Sequence, residues 1–145
     1  MKREESIGWM IKAVASWIDE QLKIGLESIC LTRGQFAIMM TLLEEDGLTQ
    51  VEIGRRISMP GYATSRNIDE LESRNLLKRK PHESTRRSYR IFITEQGREL
   101  APSIYDVAYN LREHLLESFD DKEVKTLRLL LFQMVRSISD KTEKS

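Results

Sequence analysis

The chain has 145 residues, of which 40% are hydrophobic and 32% are charged. This length suits one compact domain, and the apolar content is high enough to exclude a disordered chain. Lys and Arg together number 23, as do Asp and Glu, so the summed charge does not mark a nucleic-acid-binding protein.

The chain shows no pattern of a membrane or secreted protein. Its longest apolar run, residues 36–40, is far shorter than the roughly 18 residues of a membrane span, and no signal-peptide core follows the charged start. The single cysteine, Cys30, cannot form an internal disulfide or supply a zinc site alone. We therefore expect a cytoplasmic protein without metal or cofactor. Cys30 is expected to be a half-buried apolar filler, with a redox-sensing thiol as the alternative.

Helix signals open the chain. Apolar residues recur every three or four positions over residues 4–27 and predict a long amphipathic helix. Thr32 and Gln35 have the spacing of a capping box, which predicts the start of a second helix that ends at Gly47. Thr49 and Glu52 repeat this spacing and predict a short third helix.

A break and a fourth helix follow. Residues 58–61 include a proline and a glycine, which predict a turn before a helix over residues 62–74. Asn75 tolerates the left-handed conformation that ends a helix. Residues 76–80 and 88–94 then read as two strands of a hairpin, with residues 81–87 as a long projecting loop.

Two further helices complete the chain. Thr94 is suited to cap a fifth helix, in which Pro102 predicts a kink near residues 98–102. Asp120 and Glu123 have cap spacing at the start of a sixth helix. Its apolar stripe consists of Val124, Leu127, Leu130, Leu131, Met134, Val135 and Ile138.

The charge is unevenly distributed along the chain. Residues 55–98 contain eleven basic and five acidic side chains, whereas the remainder contains twelve basic and eighteen acidic ones. A basic stretch of this kind suits contact with phosphates. The same count also fits a solvated surface without any nucleic acid, so charge alone leaves both readings open.

The third and fourth helices have the features of a helix-turn-helix. Gly54 provides the small residue that two closely crossing helices need, and Ser65 and Arg66 point away from the inward face. They are suited to reach phosphates or base edges. The inward face consists of Thr64, Ile68 and Leu71. The alternative is that Arg66 only solvates a surface helix.

The hairpin adds a basic arm. Arg86 and Arg87 lie in the predicted loop, where two permanently charged guanidinium groups suit a narrow minor groove. The alternative is that they pair with Glu83 or with acidic residues of the helices. Helix pair and arm together predict a winged helix-turn-helix.

The order and spacing of several motifs resemble those of MarR-family transcriptional regulators, over nearly the whole chain. These motifs are Leu31–Thr32 with Gln35–Phe36, Gly47–Leu48–Thr49–Gln50 before Glu52–Ile53, Ser65–Arg66 with Asp69–x–Leu71–Glu72, Leu76–Leu77–x–Arg79, and Arg86–Arg87 before Ile93–Thr94–x–x–Gly97–x–x–Leu100. Two positions depart from the family pattern. Thr85 stands where the wing commonly has an acid, and Asn75 stands where a glycine usually ends the recognition helix.

The resemblance implies a homodimer with interlocking terminal helices that binds a near-palindromic operator in double-stranded DNA. It also implies repression relieved by a small molecule. The residues expected at the DNA are Thr49, Gln50, Tyr62, Ala63, Ser65, Arg66, Arg86 and Arg87.

The predicted fold is mainly α with a small β-hairpin wing. A winged helix-turn-helix at about residues 31–96 is flanked by dimerisation helices at 4–27 and 97–140, in a single domain over 1–145. Exposed apolar stripes favour a dimer, although the terminal helices could instead form a bundle within one chain.

We predict a DNA-binding regulator, with a winged-helix protein-interaction module that does not bind DNA as the alternative. An enzyme is the least supported class, because the chain has no glycine-rich phosphate loop, nucleophile elbow or carboxylate–histidine cluster. Aromatic and methionine side chains of the first two helices either form plain core or line a pocket for a small hydrophobic or phenolic effector. They are Trp9, Met10, Trp17, Met39 and Met40.

Overall fold

The computed structural model describes residues 2–144, with the side chain of Arg86 outside the described part. Two short 3-10 turns, Arg3–Glu5 and Glu27–Ile29, flank the first helix. The helices and strands, in chain order, are α1 (Ile7–Leu26), α2 (Arg33–Glu44), β1 (Leu48–Thr49), α3 (Gln50–Arg56), α4 (Gly61–Ser73), β2 (Leu77–His82), β3 (Thr85–Ile93), α5 (Glu95–Glu99), α6 (Ala101–Leu116) and α7 (Asp121–Glu143). The predicted mainly α fold with a small wing is confirmed.

The chain divides into two compact units, residues 1–111 and 112–145. The first unit contains the hydrophobic core, built from buried side chains of α1, α2, α3, α4, α6 and the three strands. In the second unit, α7 has no buried residue. No described helix has both the length and the apolar content that crossing a bilayer requires.

Local capping starts α2, α3 and α7 where the sequence predicts. Thr32, Thr49 and Asp120 each accept a hydrogen bond from the backbone three residues ahead, and a returning side chain completes each capping box. The hydrogen bonds from Thr49 lower the pKa of Glu52 below its ordinary value. The ionised Glu52 carboxylate therefore contributes fully above the ordinary glutamate pKa and loses this contribution as pH falls through the lowered value, whereas the hydrogen bond from the Glu52 backbone amide to Thr49 Oγ1 does not titrate.

Within residues 2–144, three non-glycine residues adopt the left-handed conformation. Asn75, at φ 57°, ends α4 as predicted, and Ser58, at φ 53°, forms the turn between α3 and α4. Cys30, at φ 52°, closes the 3-10 turn before α2 and is exposed. The prediction of a half-buried Cys30 is wrong, because the residue belongs to a surface turn rather than to the core.

The hairpin is longer than predicted, and its connection is shorter. β2 reaches His82 and β3 begins at Thr85, so only residues 83 and 84 join them and the predicted loop at 81–87 is wrong. The loop was predicted from the polar and basic composition of residues 81–87. The strand order β1-β3-β2 places β2 at the sheet edge, where a proline is tolerated, and the register shifts between Pro81 and His82.

β1 was not predicted. Its two residues pair with β3, with Leu48 opposite Ile91 and Thr49 opposite Arg90. Two residues are too few for an alternating pattern to be visible in the sequence. The pairing holds the start of α3 beside the wing strand.

The kink predicted near residues 98–102 is confirmed as a break between two helices. α5 ends at Glu99 and α6 begins at Ala101, so Pro102 is the second residue of α6. A proline fits the first turn of a helix, where its missing amide would have no helical acceptor.

Gly97 permits close packing of α5 on the sheet. A Cβ at this position would lie 2.3 Å from the Leu76 carbonyl oxygen and 2.8 Å from Ile93 Cγ2, whereas one at Gly8 would meet no atom within 4 Å. We expect Gly97→Ala to lower the free energy of unfolding by about 2 kcal/mol. Gly8→Ala should instead raise it by about 0.5 kcal/mol. Urea denaturation followed by circular dichroism, at one protein concentration, checks both. Equal stabilities of the two variants would contradict this account.

Candidate nucleic-acid interface

α3 and α4 cross at Gly54. A Cβ added there would lie 2.9 Å from Thr64 Oγ1 and 3.1 Å from the Met59 carbonyl oxygen, so only glycine permits this approach. The Thr64 hydroxyl is fully buried and donates a hydrogen bond to the Pro60 carbonyl oxygen at 3.0 Å. The helix pair thus has the close crossing that the sequence predicted at Gly54.

The buried face of α4 decides which side chains face outward. Thr64, Ile68 and Leu71 are fully buried, as expected. On the remaining surface, Tyr62 is 76% exposed and Arg66 is exposed. The other predicted contact residues of this helix pair, Thr49, Gln50, Ala63 and Ser65, are half-buried.

The protein's own carboxylates neutralise part of the basic stretch. Arg56 pairs with Glu45, and Arg98 pairs with Asp46 at 2.8 Å. Arg66 and Arg87, by contrast, form no ion pair with any side chain in the described part of the chain. These two guanidinium groups are therefore available to an external anion.

Arg79 holds the acidic side of α4 against the sheet. Its guanidinium lies 2.6 Å from Asp69 Oδ1 and 2.9 Å from Glu72 Oε1, and its side chain is 18% exposed. Its backbone amide also donates to Glu72 at 3.1 Å, and Nη2 donates to Gln50 at 3.5 Å. Sequence reasoning gave Arg79 no role beyond the family pattern. The available signal was the pair of acids three residues apart on a predicted helix.

The wing is braced at its base. Arg90 donates a hydrogen bond to the Gly47 carbonyl oxygen at 3.0 Å, and its Nη2 lies 3.2 Å from His82 Nε2. The Lys80 ammonium lies 5.2 Å from the centre of the Phe92 ring, within the range of a cation–π contact. Arg87 is exposed near the tip. The predicted role of Arg86 concerns a side chain outside the described part.

A polar groove runs beside the exposed face of α4. It has a volume of about 510 Å³ and lies between the start of α2 and the middle of α4. Its lining residues are Thr32, Arg33, Gly34, Arg66, Asn67 and Glu70. Sequence reasoning did not find this groove, because it depends on the packing of two helices that are distant in the chain.

The proposed effector residues lie in different environments. Met39 is fully buried in the core, whereas Trp9, Met10 and Trp17 are 44%, 41% and 36% exposed on α1. The structure therefore does not place Met39 on the same surface as the other three. The assignment of an effector site to these residues stays a prediction.

Comparison with known proteins agrees with this architecture. The sequence profile of the MarR family matches residues 31–88. A MarR transcriptional regulator from Methanosarcina mazei Go1 is 30% identical, with a TM-score of 0.82 over 91% of this chain and 97% of that chain. The HTH-type transcriptional regulator YybA of Bacillus subtilis is 25% identical over 128 residues, which cover 88% of this chain and 85% of YybA.

A further structure, of a mutant MarR from E. coli complexed with operator DNA, is 24% identical. Its TM-score is 0.80 over 88% of this chain and 92% of that chain, a likeness that shows the fold. The profile match covers the helix pair and most of the wing, and the relative from Methanosarcina mazei extends the similarity to nearly the full length. The chain therefore belongs to the MarR family of winged helix-turn-helix transcriptional regulators, which are DNA-binding proteins rather than enzymes.

Proposed function

We propose that this regulator is a homodimer that binds a near-palindromic operator in double-stranded DNA and represses transcription. The observation that carries the proposal is Arg66 on the outward face of α4, which is exposed and forms no ion pair within the part of the chain that the structure describes. The E. coli relative crystallised with operator DNA supports the same partner for this chain.

The proposed contacts follow from the chemistry of each side chain. With α4 in the major groove, Arg66 contacts a phosphate or a guanine edge. Tyr62, Ala63 and Ser65 then face the DNA surface next to this contact. Thr49 and Gln50, at the start of α3, are suited to the adjacent phosphates. On the wing, Arg86 and Arg87 are proposed for the minor groove, where the negative potential favours guanidinium groups.

The apolar faces of the terminal helices support the proposed dimer. On α1 the exposed side chains include Ile7, Ile11 and Val14. On α7 they include Leu130, Leu131, Met134, Val135 and Ile138. Apolar surface of this extent is commonly covered by a partner, and two-fold symmetry would match a near-palindromic operator. The helices over 4–27 and 97–140 are therefore proposed for dimerisation, with the winged helix over 31–96.

The proposed repression follows from occupation of the operator by the dimer. A dimer that occupies two successive major grooves would exclude other proteins from the same duplex, which is sufficient for repression at a promoter. A small hydrophobic or phenolic effector is proposed to release the dimer from the operator. Trp9, Met10 and Trp17 offer exposed aromatic and thioether surface for such a ligand.

Loss of either Arg66 or Arg87 should weaken DNA binding. We expect Arg87→Ala to cost about 1–3 kcal/mol, and Arg66→Ala to weaken binding and lower the slope of log K against log salt by about 1. Arg3→Ala removes an exposed arginine outside the winged helix and should change neither quantity. The probe is a duplex selected by the wild-type protein from random sequences, titrated by fluorescence anisotropy.

Two results would go against this assignment. Wild-type affinity and salt slope in both arginine variants would remove these residues from the interface. Failure of the wild-type protein to select any sequence, together with a stable complex with another protein, would favour the interaction module instead.

The dimer proposal distinguishes two sides of α7. Leu131 and Leu129 are 42% and 57% exposed. Side chains two residues apart on a helix point in directions that differ by about 160°. We expect Leu131→Asp, within the apolar stripe, to shift the protein toward monomer and weaken duplex binding. Leu129→Asp adds the same charge outside the stripe and should leave the dimer intact. Sedimentation equilibrium measures both, and a wild type that is monomeric at micromolar concentration would exclude the proposal.

Effector binding can be followed through the two tryptophans of the chain, Trp9 and Trp17. We expect small phenols to change their fluorescence and to weaken duplex binding over the same concentration range. Aliphatic alcohols of similar size serve as the control. Phenols that saturate the fluorescence change without affecting duplex affinity would contradict release by this route.

A further inference from the structure

Arg66 has a potential ion-pair partner one turn away. Glu70 follows it by four residues on α4, and both line the groove beside the start of α2. Side chains at this spacing are neighbours on a helix, and opposite charges there commonly pair. Within the described residues, however, Arg66 and Glu70 form no ion pair.

Gln35 of α2 holds the carboxylate of Glu70 instead. Its Nε2 donates a hydrogen bond to Glu70 Oε2 at 2.6 Å, and the Gln35 side chain is buried, with 4% of the residue exposed. A hydrogen bond to an ionised acceptor is stronger than one between neutral groups. The contact joins residues 35 positions apart in the chain.

The capping box fixes the orientation of this amide. Gln35 Oε1 accepts a hydrogen bond from the Thr32 backbone amide at 3.2 Å, and Thr32 Oγ1 accepts one from the Gln35 backbone amide at 3.2 Å. With the oxygen of the side-chain amide engaged at Thr32, the nitrogen faces Glu70. The side chain of Gln35 thus both caps α2 and donates a hydrogen bond to a carboxylate of α4.

We propose that Gln35 is a positioning residue that keeps Arg66 available for DNA by holding Glu70 away from it. The inference rests on the proposed function, because it gives Gln35 a role through the DNA contact of Arg66. Without the amide donor, Glu70 is released to pair with Arg66, one turn away on α4. This pairing lowers the positive potential that α4 presents.

Other contacts hold α4 itself in place. Arg74 donates a hydrogen bond from Nη1 to the Cys30 carbonyl oxygen at 2.6 Å, and Thr64, Ile68 and Leu71 are fully buried. Loss of the contact between Gln35 and Glu70 therefore changes which charges are free more than it changes the position of the helix.

Gln35→Glu tests the proposal with little change in size. Glutamate is favoured at this capping-box position and retains an acceptor for the Thr32 amide, but it replaces the donor with a carboxylate that repels Glu70. We expect affinity for the duplex selected by the wild type to fall about three- to tenfold, and the salt slope to fall by about 1. Thermal unfolding of each variant, followed by circular dichroism, identifies the temperature range in which it is folded.

Two second-site backgrounds separate this role from a purely structural one. In Arg66→Ala, Gln35→Glu should cause no further loss of affinity. In Glu70→Gln, which alone should bind within about twofold of wild type, the carboxylate introduced at position 35 can accept a hydrogen bond from the amide introduced at position 70. The hydrogen bond between positions 35 and 70 is then restored with donor and acceptor exchanged. The double variant should therefore bind the duplex as tightly as Glu70→Gln alone. Gln35→Met, which removes the donor without adding charge, provides the same comparisons if Gln35→Glu does not fold.

The possible results are distinct. Unchanged duplex affinity in Gln35→Glu and Gln35→Met would overturn the proposal, as would a loss that persists undiminished in the Arg66→Ala and Glu70→Gln backgrounds. A wild-type protein that selects no duplex would reject the proposed DNA-binding function, and the role of Gln35 with it.

Discussion

The close crossing of α3 and α4 is the constraint on which the proposed interface depends. At Gly54 a side chain would collide with Thr64 and with the Met59 carbonyl oxygen. Because Thr64, Ile68 and Leu71 are fully buried, α4 cannot rotate without exposing apolar surface. The 3.6-residue periodicity of the helix then determines its outward face. The exposure of Tyr62 and Arg66 is thus a consequence of how α4 is buried.

Hydrogen bonds and ion pairs within the protein then decide which charges on α4 remain free. The helix carries Asp69, Glu70 and Glu72, three acids that by themselves would repel a phosphate backbone. Arg79 binds the first and the last of these, and Gln35 binds the second. Arg66 remains unpaired among the described residues. The count of charges in residues 55–98 therefore indicates a basic region, but it does not identify the side chains that are available to DNA.

Features that depend on neighbouring residues were predictable, and those that depend on pairing across the chain were less so. The capping boxes at Thr32 and Thr49 were predicted because their hydrogen bonds join residues three positions apart. β1 and the full length of the hairpin were not, because strand pairing extends elements that have little pattern of their own. The loop predicted at residues 81–87 was wrong for the same reason, because these polar residues become strand only by pairing, with Pro81 tolerated in the edge strand β2.

By itself, the sequence determined the order of helices and wing, the glycine at the helix crossing and the pattern of the MarR family. These features depend on local hydrogen bonds, helical periodicity and the backbone preferences of single residues. Only the tertiary structure decided that Arg79 pairs with two carboxylates, that Arg66 has no ion-pair partner among the residues described, and that Gln35 holds Glu70. The physical reason is that ion pairs and hydrogen bonds require atoms within a few ångströms, and packing of separate elements sets those distances.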